Sequence, residues 1–370
     1  MKNQDEQFMA RAIEVAQQGR FWASPNPHVG CVVVREGRIV GEGFTQPPGG
    51  NHAEIQALLD AGDARGATAY VTLEPCAHFG RTGPCADALI AAGLSRVVVA
   101  VEDPFLAVSG QGIARLREAG VAVSVGVLAH ESRALIAGYL LRITRGWGRV
   151  RLKLATSLDG RTAMASGESQ WITGPQARAD VQRLRAESSV IVTGIGTVLA
   201  DDCALTLRAE QLPLTPAECD RALTHVPLRV LLDSEGRLRQ GSQIISDAAP
   251  TLIFHADNTV PAPFLATIPT VKTQPVSRGT HGLDLRAILT HLGEEGANEI
   301  LIEAGATLAA AFIEQNLVDE LVIYQAPRLL GSSGKAMLAL SFDRLAETPE
   351  LRLIEVSRVG DDLRIIATPT

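Results

Sequence analysis

Long apolar runs and basic runs are both missing from this 370-residue sequence. No stretch of about 18 apolar residues could span a bilayer, and the opening segment MKNQDEQFMARAIEVAQQG is polar and acidic, unlike a secretory leader. Lys and Arg number 34 against 41 Asp and Glu, a formal charge of -7 that offers no basic field for a phosphate backbone. We therefore expect a cytoplasmic protein that binds neither membranes nor nucleic acid.

Cysteine is scarce, with five residues scattered at positions 31, 76, 85, 203 and 219. The odd number and the wide spacing argue against a disulfide framework and for reduced thiols. Cys31 sits in the apolar run CVVV, which is typical of a packed core thiol. Cys76 and Cys85 stand in a different context, because each directly follows a proline.

The length predicts two domains, since a typical domain has about 150 residues. Composition is 46% hydrophobic and 20% charged, as in an average folded protein. Helical and strand-like periods alternate over residues 1–145 and again over 149–370, so we expect two α/β domains. The segment RITRGWGR at 142–149 predicts the linker. The polar, proline-containing stretch 209–227 predicts a loop.

A histidine, a glutamate and two cysteines predict a metal site in the first half. In NHAEIQALLDAG, Asn51 is the expected N-cap of a helix that carries His52 and Glu54 in its first turn. In LEPCAHFGRTGPC, Cys76 closes a strand and Cys85 opens a helix, where the helix N-terminus favours the thiolate that zinc requires. One imidazole and two thiolates give three protein ligands for Zn²⁺.

The presence of Glu54 favours a catalytic zinc over a structural one. A catalytic zinc keeps its fourth position for water, whereas a structural site needs a fourth ligand, for which His78 is the nearby alternative. Hydrolytic removal of an amino group needs a carboxylate that takes a proton from water and passes it to the departing ammonia. Glu54 is the candidate for this role, and His-x-Glu with Pro-Cys is typical of zinc deaminases of nucleobases.

Eight residues separate Cys76 from Cys85, and this spacer carries His78 and Arg81. Two basic side chains beside the metal suit a substrate with polar and anionic groups better than a plain nucleobase. The alternative for Arg81 is a solvated loop charge.

A complete dinucleotide fingerprint is also missing, since GIG at 194–196 is too short and no G-x-G-x-x-G follows a strand. Gly305 after the strand EILIEAG, followed by the small residues ATLAAAF, is a better candidate cradle for a phosphate at a helix N-terminus. A tight strand-to-helix turn explains the same residues equally well.

Several long motifs resemble the bifunctional riboflavin-biosynthesis pyrimidine deaminase/reductase family: PNPHVGCVVV, YVTLEPCAHFGRTGPC, LKLATSLDGRTAMASGESQWIT, TVLADDCALTLR and LIEAGATLA. The resemblance implies a cytidine-deaminase-like three-layer α/β/α domain that deaminates 2,5-diamino-6-(5-phosphoribosylamino)pyrimidin-4(3H)-one. Zinc would be held by His52, Cys76 and Cys85, and Glu54 would move the proton. Its implied contacts to the phosphorylated pyrimidine are Asn26, His78 and Arg81. Thr45 stands where many relatives have His.

The same resemblance implies a C-terminal dihydrofolate-reductase-like α/β domain that uses NADPH to reduce the ribosyl group to a ribityl chain. The implied cofactor contacts are Ala155, Trp171, Thr197, Asp201, Ser234, Gly305, Ala306, Thr307, Leu308, Ala309, Ala310 and Ala311. The implied substrate contacts are Ser169, Arg185, Leu205, Arg208 and Glu303. Arg185 and Arg208 would form a guanidinium pair for the ribose phosphate. Cys203 stands where relatives often have proline.

Two other functions remain open from the sequence. The first is a nucleoside or tRNA deaminase whose C-terminal half is a non-catalytic oligomerisation domain. The second is a zinc-stabilised scaffold protein, against which the presence of Glu54 argues, because a structural site has no use for that carboxylate. We also expect the chain to form a homo-oligomer.

Overall fold

The computed structural model of the chain describes residues 4–77, 83–105 and 109–370. The chain divides into two compact units, Met1–Gly148 and Arg149–Thr370. Both units are built from helices packed on a sheet, so the α/β class predicted for each half is confirmed. None of the helices in the described ranges combines the length and the apolar character that crossing a membrane would take.

The described part of the first unit alternates helices and strands along the chain. Its helices are α1 (Gln4–Ala16), α2 (Ala53–Ala61), α3 (Cys85–Ala91), α4 (Gln111–Glu118), α5 (Ala129–Leu135) and α6 (Ala137–Arg145), and its strands are β1 (Gly30–Arg35), β2 (Arg38–Phe44), β3 (Thr68–Val71), β4 (Arg96–Val99) and β5 (Ala122–Val125). The strands form one sheet in the order β2-β1-β3-β4-β5.

Two glycines show how closely helices cover both faces of this sheet. A Cβ on Gly30 would lie 2.0 Å from the Ala12 carbonyl oxygen of α1, and one on Gly43 would lie 2.3 Å from the Ala53 carbonyl oxygen of α2. Gly43 pairs with Cys31, the neighbour of Gly30. Because successive strand residues point to opposite faces, α1 and α2 pack on opposite sides of the sheet. The unit therefore has three layers.

Two expectations for the first unit need correction. The N-cap of α2 is His52, not Asn51, and its side chain makes no capping hydrogen bond. The predicted linker from Arg142 begins inside α6, which continues to Arg145 and ends at Gly146 with φ 95°. Tyr139 is buried in this helix, so the first part of the arginine-rich segment continues a helix that packs against the core.

The second unit has a larger sheet with helices interleaved along the chain. Its helices are α7 (Pro175–Ala186), α8 (Ile195–Asp201), α9 (Pro216–Thr224), α10 (Leu285–Glu294) and α11 (Ala306–Glu314), and its strands are β6 (Arg149–Ser157), β7 (Arg161–Ala163), β8 (Val190–Gly194), β9 (Leu228–Leu232), β10 (Thr251–Ala256), β11 (Val271–Val276), β12 (Arg278–Gly279), β13 (Gly282–Leu283), β14 (Glu299–Glu303), β15 (Glu320–Ala326), β16 (Lys335–Ala336), β17 (Leu351–Val359) and β18 (Asp362–Pro369).

Nine strands form the main sheet, in the order β11-β10-β9-β8-β14-β6-β15-β18-β17. From β11 to β15 neighbouring strands are parallel, whereas β18 and β17 are antiparallel additions at one edge. The carboxyl ends of β6, β14, β8 and β9 therefore meet along one edge of the sheet. Ligands of open parallel sheets bind at such an edge.

The loop predicted for 209–227 is partly wrong, because it contains helix α9. Thr215 and Glu218 form a capping box, in which the Thr215 hydroxyl accepts from the Glu218 amide and the Glu218 carboxylate accepts from the Thr215 amide. Pro216 occupies the first turn. The pattern Thr-Pro-x-Glu was a readable helix start in the sequence.

Candidate active sites

Three elements of the first unit bring His52, Cys76 and Cys85 together. His52 caps α2, Cys76 follows β3, and Cys85 opens α3. One possible ligand atom from each residue lies within 4.8 Å of the other two. The His52 Nδ1 lies 3.3 Å from the Cys85 Sγ and 3.7 Å from the Cys76 Sγ.

These separations fit zinc. With Zn–S near 2.3 Å and Zn–N near 2.0 Å in a tetrahedron, the nitrogen and sulfur ligands stand about 3.6 Å apart. The two observed N···S distances of 3.3 and 3.7 Å bracket that value. The donors are also of the type that zinc prefers, one imidazole and two thiols.

The thiols lie in an environment that favours negative charge on Cys76. The hydrogen bond from the Cys85 thiol lowers the pKa of Cys76 to about 4, with help from His52 and from the Cys85 amide. That amide, at the start of α3, donates to the Cys76 Sγ at 3.3 Å. The same sulfur raises the pKa of His52 to about 8.

Glu54 lies beside these ligands and is 4% exposed. Burial is the main cause that raises the pKa of its carboxyl to about 7, while His52 opposes the shift. The carboxyl also contacts the Cys85 thiol. A buried carboxyl of this kind next to a metal site is suited to accept and return a proton.

Of the other residues discussed for this site, the structure describes Asn26 and Thr45. Asn26 is half-buried in a turn that its amide closes by donating to the Ala23 carbonyl at 2.8 Å. His78 and Arg81 lie outside the described residues. The Thr45 hydroxyl accepts from the Val29 backbone amide at 2.9 Å, so this side chain is held by the backbone.

Arg115 is a residue that the sequence reasoning missed. From α4 it donates to the Ala77 carbonyl at 3.2 Å and pairs with the Asp87 carboxylate at 2.6 Å. Ala77 follows Cys76, and Asp87 lies two residues after Cys85. Arg115 therefore joins the residue after Cys76 to the first turn of α3, a role that no local pattern in the sequence could reveal.

In the second unit a cleft of about 920 Å³ opens at the carboxyl ends of the parallel strands. All five predicted substrate contacts line it, together with most of the predicted cofactor contacts: Ser169, Arg185, Leu205, Arg208, Glu303, Ala155, Trp171, Thr197, Asp201, Ser234, Gly305, Ala306, Thr307 and Leu308. Ala309, Ala310 and Ala311 do not line the cleft and are buried in α11.

Several of these residues bond to one another. The Gly305 amide donates to the Thr197 hydroxyl at 3.0 Å and so joins the turn before α11 to α8. The Ser169 hydroxyl donates to the Asp201 carboxylate at 3.2 Å. Hydrogen bonds therefore connect segments of the cleft wall that lie far apart in the sequence.

Arg185 is already paired inside the cleft. Its Nε and one Nη donate to the two oxygens of the buried Glu303 at 2.5 and 3.1 Å, and its other Nη donates to the Thr206 carbonyl at 3.1 Å. The two arginines predicted to bind the phosphate therefore differ, because Arg185 already has protein partners. Arg208 is exposed, and it forms no ion pair with any residue in the described part of the chain.

Lys153 is a second residue that the sequence reasoning missed. It lines the cleft, and its Nζ lies 3.8 Å from the Glu303 carboxylate. Burial lowers the pKa of this lysine. Arg185 and Lys153 together hold the pKa of Glu303 below its usual value, against the effect of burial. A lysine at an inward position of a buried strand was the signal available in the run RLKLA.

Both units match family models and solved structures. Residues 2–101 match the cytidine and deoxycytidylate deaminase zinc-binding region, and residues 149–365 match the RibD C-terminal domain. The riboflavin biosynthesis protein RibD of Escherichia coli is 47% identical over 97% of this chain and 98% of its own length. The RibD protein of Haemophilus influenzae is 42% identical over 99% of this chain and 98% of its own length.

Solved structures agree over the whole chain. RibD of Acinetobacter baumannii superposes with a TM-score of 0.91 at 42% identity and covers 99% of both chains. A diaminohydroxyphosphoribosylaminopyrimidine deaminase/5-amino-6-(5-phosphoribosylamino)uracil reductase from Thermotoga maritima superposes with a TM-score of 0.87 at 32% identity, again over 99% of both chains. With a zinc-binding deaminase unit followed by a reductase unit, the chain belongs to the RibD family of riboflavin biosynthesis proteins.

Proposed function

We propose that this chain removes an amino group from a phosphorylated diaminopyrimidinone in its first unit and reduces the sugar of the product with NADPH in its second. The observation that carries the proposal is a three-ligand zinc site with the buried Glu54 beside it, in the same chain as a cleft lined by the predicted cofactor contacts. We place this enzyme in the cytoplasm, in keeping with its five free cysteines.

In the deaminase site the protein residues hold the metal and move a proton. His52, Cys76 and Cys85 would hold zinc, which when bound activates a water molecule for attack on the amino-bearing ring carbon. Glu54 takes the proton that the water loses and delivers it to the leaving nitrogen, so that ammonia departs as a neutral molecule. Burial of Glu54 keeps bulk water from competing for this proton.

In the reductase cleft the residues orient the sugar and supply a proton. When bound in this cleft, NADPH would supply the hydride for reduction of the first carbon of the ring-opened sugar. The nitrogen attached to that carbon gains a proton as the double bond is reduced. Lys153 is the cleft residue suited to donate it, because burial lowers its pKa and Glu303 holds it in place. Arg208 is exposed for the phosphate, and Arg185 lines the same cleft.

Removal of zinc separates the two activities. After chelation we expect ammonia release from the diamino substrate to stop, and NADPH oxidation with that substrate to stop with it, because the reductase receives no product. NADPH oxidation with the separately deaminated pyrimidine should continue unchanged. Ammonia is measured by a coupled assay, NADPH by absorbance, and zinc by elemental analysis.

The alternative function predicts other results in the same assay. Ammonia release from cytidine or from an RNA stem-loop, without any NADPH oxidation on the deaminated pyrimidine, would replace our proposal by a nucleoside or tRNA deaminase. Dihydrofolate is the control for the second unit, and we expect no NADPH oxidation with it.

We further propose that the chain forms a homo-oligomer through the edge of its large sheet. Strand β17 lies at that edge, and its Leu353 and Val356 are 64% and 55% exposed. Val356 pairs with Ile365, which pairs with Ile323, so apolar side chains follow one another across three strands. An exposed apolar edge strand is a template for pairing with another chain, and a second copy supplies the same apolar edge.

The oligomer is tested by one substitution on this edge. Val356→Asp should convert the protein to a smaller species in sedimentation-velocity runs at micromolar concentration, because an unpaired charge would be buried in the interface. Val260→Asp is the matched control, since Val260 is 88% exposed outside the large sheet. A wild-type monomer at every concentration would contradict the proposal.

A further inference from the structure

The end of the reductase cleft at β9 is formed by a tightly held turn. Asp233 follows β9 and is 1% exposed. Its carboxylate accepts from the Arg237 amide at 2.9 Å and from the Leu238 amide at 2.8 Å. Ser234 and Arg237 of this turn both line the cleft. The backbone that presents them is therefore fixed before any ligand arrives.

An exposed arginine lies at this end of the cleft. Arg237 is exposed, and across the described ranges no ion pair or side-chain hydrogen bond is recorded for its guanidinium. Glu235 in the same turn is paired with Arg278 at 2.5 Å. His281 also lines the cleft, and its Nε2 lies 3.3 Å from a Glu314 carboxylate oxygen. Arg237 is thus the cation of this turn that is left for a ligand.

The strand order gives the distance from Arg237 to the reacting end of the cleft. Lys153 and Ala155 lie on β6, and the sheet runs from there through β14 and β8 to β9. Three strand spacings amount to about 14 Å. Gly305 and the start of α11 follow β14, between these two ends. An extended dinucleotide with its nicotinamide near β6 and its pyrophosphate at α11 therefore places its adenosine at β9.

We propose that Arg237, with the hydroxyl of Ser234, binds the 2′-phosphate on the adenosine ribose of NADPH and thereby sets the preference for NADPH over NADH. This inference rests on the proposed reductase function. The 2′-phosphate is the one group that distinguishes the two cofactors, and it carries two negative charges that suit the planar donors of a guanidinium. NADH offers only hydroxyls at the same position, so Arg237 adds nothing to its binding.

The test measures cofactor binding by the full-length zinc-loaded protein. Calorimetry compares NADPH with NADH, and adenosine 2′,5′-bisphosphate with 5′-AMP. In Arg237→Gln we expect the Kd for NADPH and for the bisphosphate to rise about 10- to 100-fold, the loss of one charge-assisted contact. The Kd for NADH and for 5′-AMP should change less than about twofold.

Arg239→Gln is the matched control, because Arg239 is an exposed arginine two residues further on that does not line the cleft. It should bind both cofactors as the wild type does. Equal loss of NADPH and NADH affinity in Arg237→Gln, or unchanged discrimination between them, would overturn the assignment. A wild-type protein that binds neither cofactor would instead overturn the reductase function on which it rests.

Discussion

Replacement of Glu54 by glutamine is expected to slow ammonia release by about 10²- to 10⁴-fold, the usual contribution of a general acid-base group. Glutamine has the shape of glutamate but cannot accept a proton from water at neutral pH. Zinc content should stay at the wild-type level, because Glu54 is not among the three clustered donors. Elemental analysis and the ammonia assay on the same sample check both statements.

Two controls make this result specific. Glu14→Gln changes a carboxylate on the exposed side of α1 and should leave ammonia release unchanged. In Glu54→Gln itself, NADPH oxidation with the separately deaminated pyrimidine should continue at the wild-type rate. If ammonia release persisted with zinc in place, Glu54 would not carry the proton. If zinc were lost, the effect would belong to the metal site.

The second large effect is expected at the pair Arg185 and Glu303. Both side chains are nearly buried, at 13% and 8% exposure, and the guanidinium meets both carboxylate oxygens. Arg185→Ala leaves Glu303 with only the more distant Lys153. We expect a loss of about 3 to 5 kcal/mol in the free energy of unfolding of the second unit, since breaking a buried pair from one side costs that much.

The pair also predicts a loss of reductase activity that is not a simple phosphate effect. Without Arg185, the Glu303 carboxylate beside Lys153 is no longer neutralised, and this changes the proton affinity of Lys153, the proposed proton donor. The turnover number should therefore fall, and the Michaelis constant should rise. Arg208→Gln should raise mainly the Michaelis constant, because Arg208 is exposed and makes no recorded pair in the described part of the cleft. Steady-state kinetics of both variants distinguish the two roles.

A double variant and a pH series test the physical cause. Arg185→Met with Glu303→Gln removes both charges and should recover most of the stability lost in Arg185→Ala. Pairing lowers the pKa of Glu303 in the folded protein, so its stabilisation is present at neutral pH and is lost as the pH falls through the folded pKa. The difference between wild type and Arg185→Ala should therefore shrink below about pH 4. A difference independent of pH would contradict the role of this carboxylate.

The sequence could predict those features of the fold and of the site that neighbouring residues determine. His52 and Cys85 are each fixed by a helix start that the nearby residues specify. The strand end predicted at Cys76 is wrong, because β3 ends at Val71 and Cys76 lies five residues beyond it. The capping box before α9 was equally local and could have been read. The fold class followed from the alternation of periods.

The contacts that could not be predicted join residues far apart in the sequence. Arg185 and Glu303 are 118 positions apart, and nothing around either one indicates that they meet. The same holds for Arg115, whose partners Ala77 and Asp87 belong to other elements. The cleft collects the ends of many strands, so its residues followed from family resemblance and not from spacing.

The position of β6 in the large sheet has a consequence for the order in which the chain can fold. Although β6 is the first strand of its unit, its neighbours are β14 and β15, so Arg149 pairs with Glu299 and Ser157 with Ala326. A nascent chain that has reached Asn298 holds all five strands of the first sheet, while both edges of β6 still lack their partners. Pairing over such sequence distances is slow. The deaminase unit can therefore fold during synthesis, whereas the reductase unit waits for its last third.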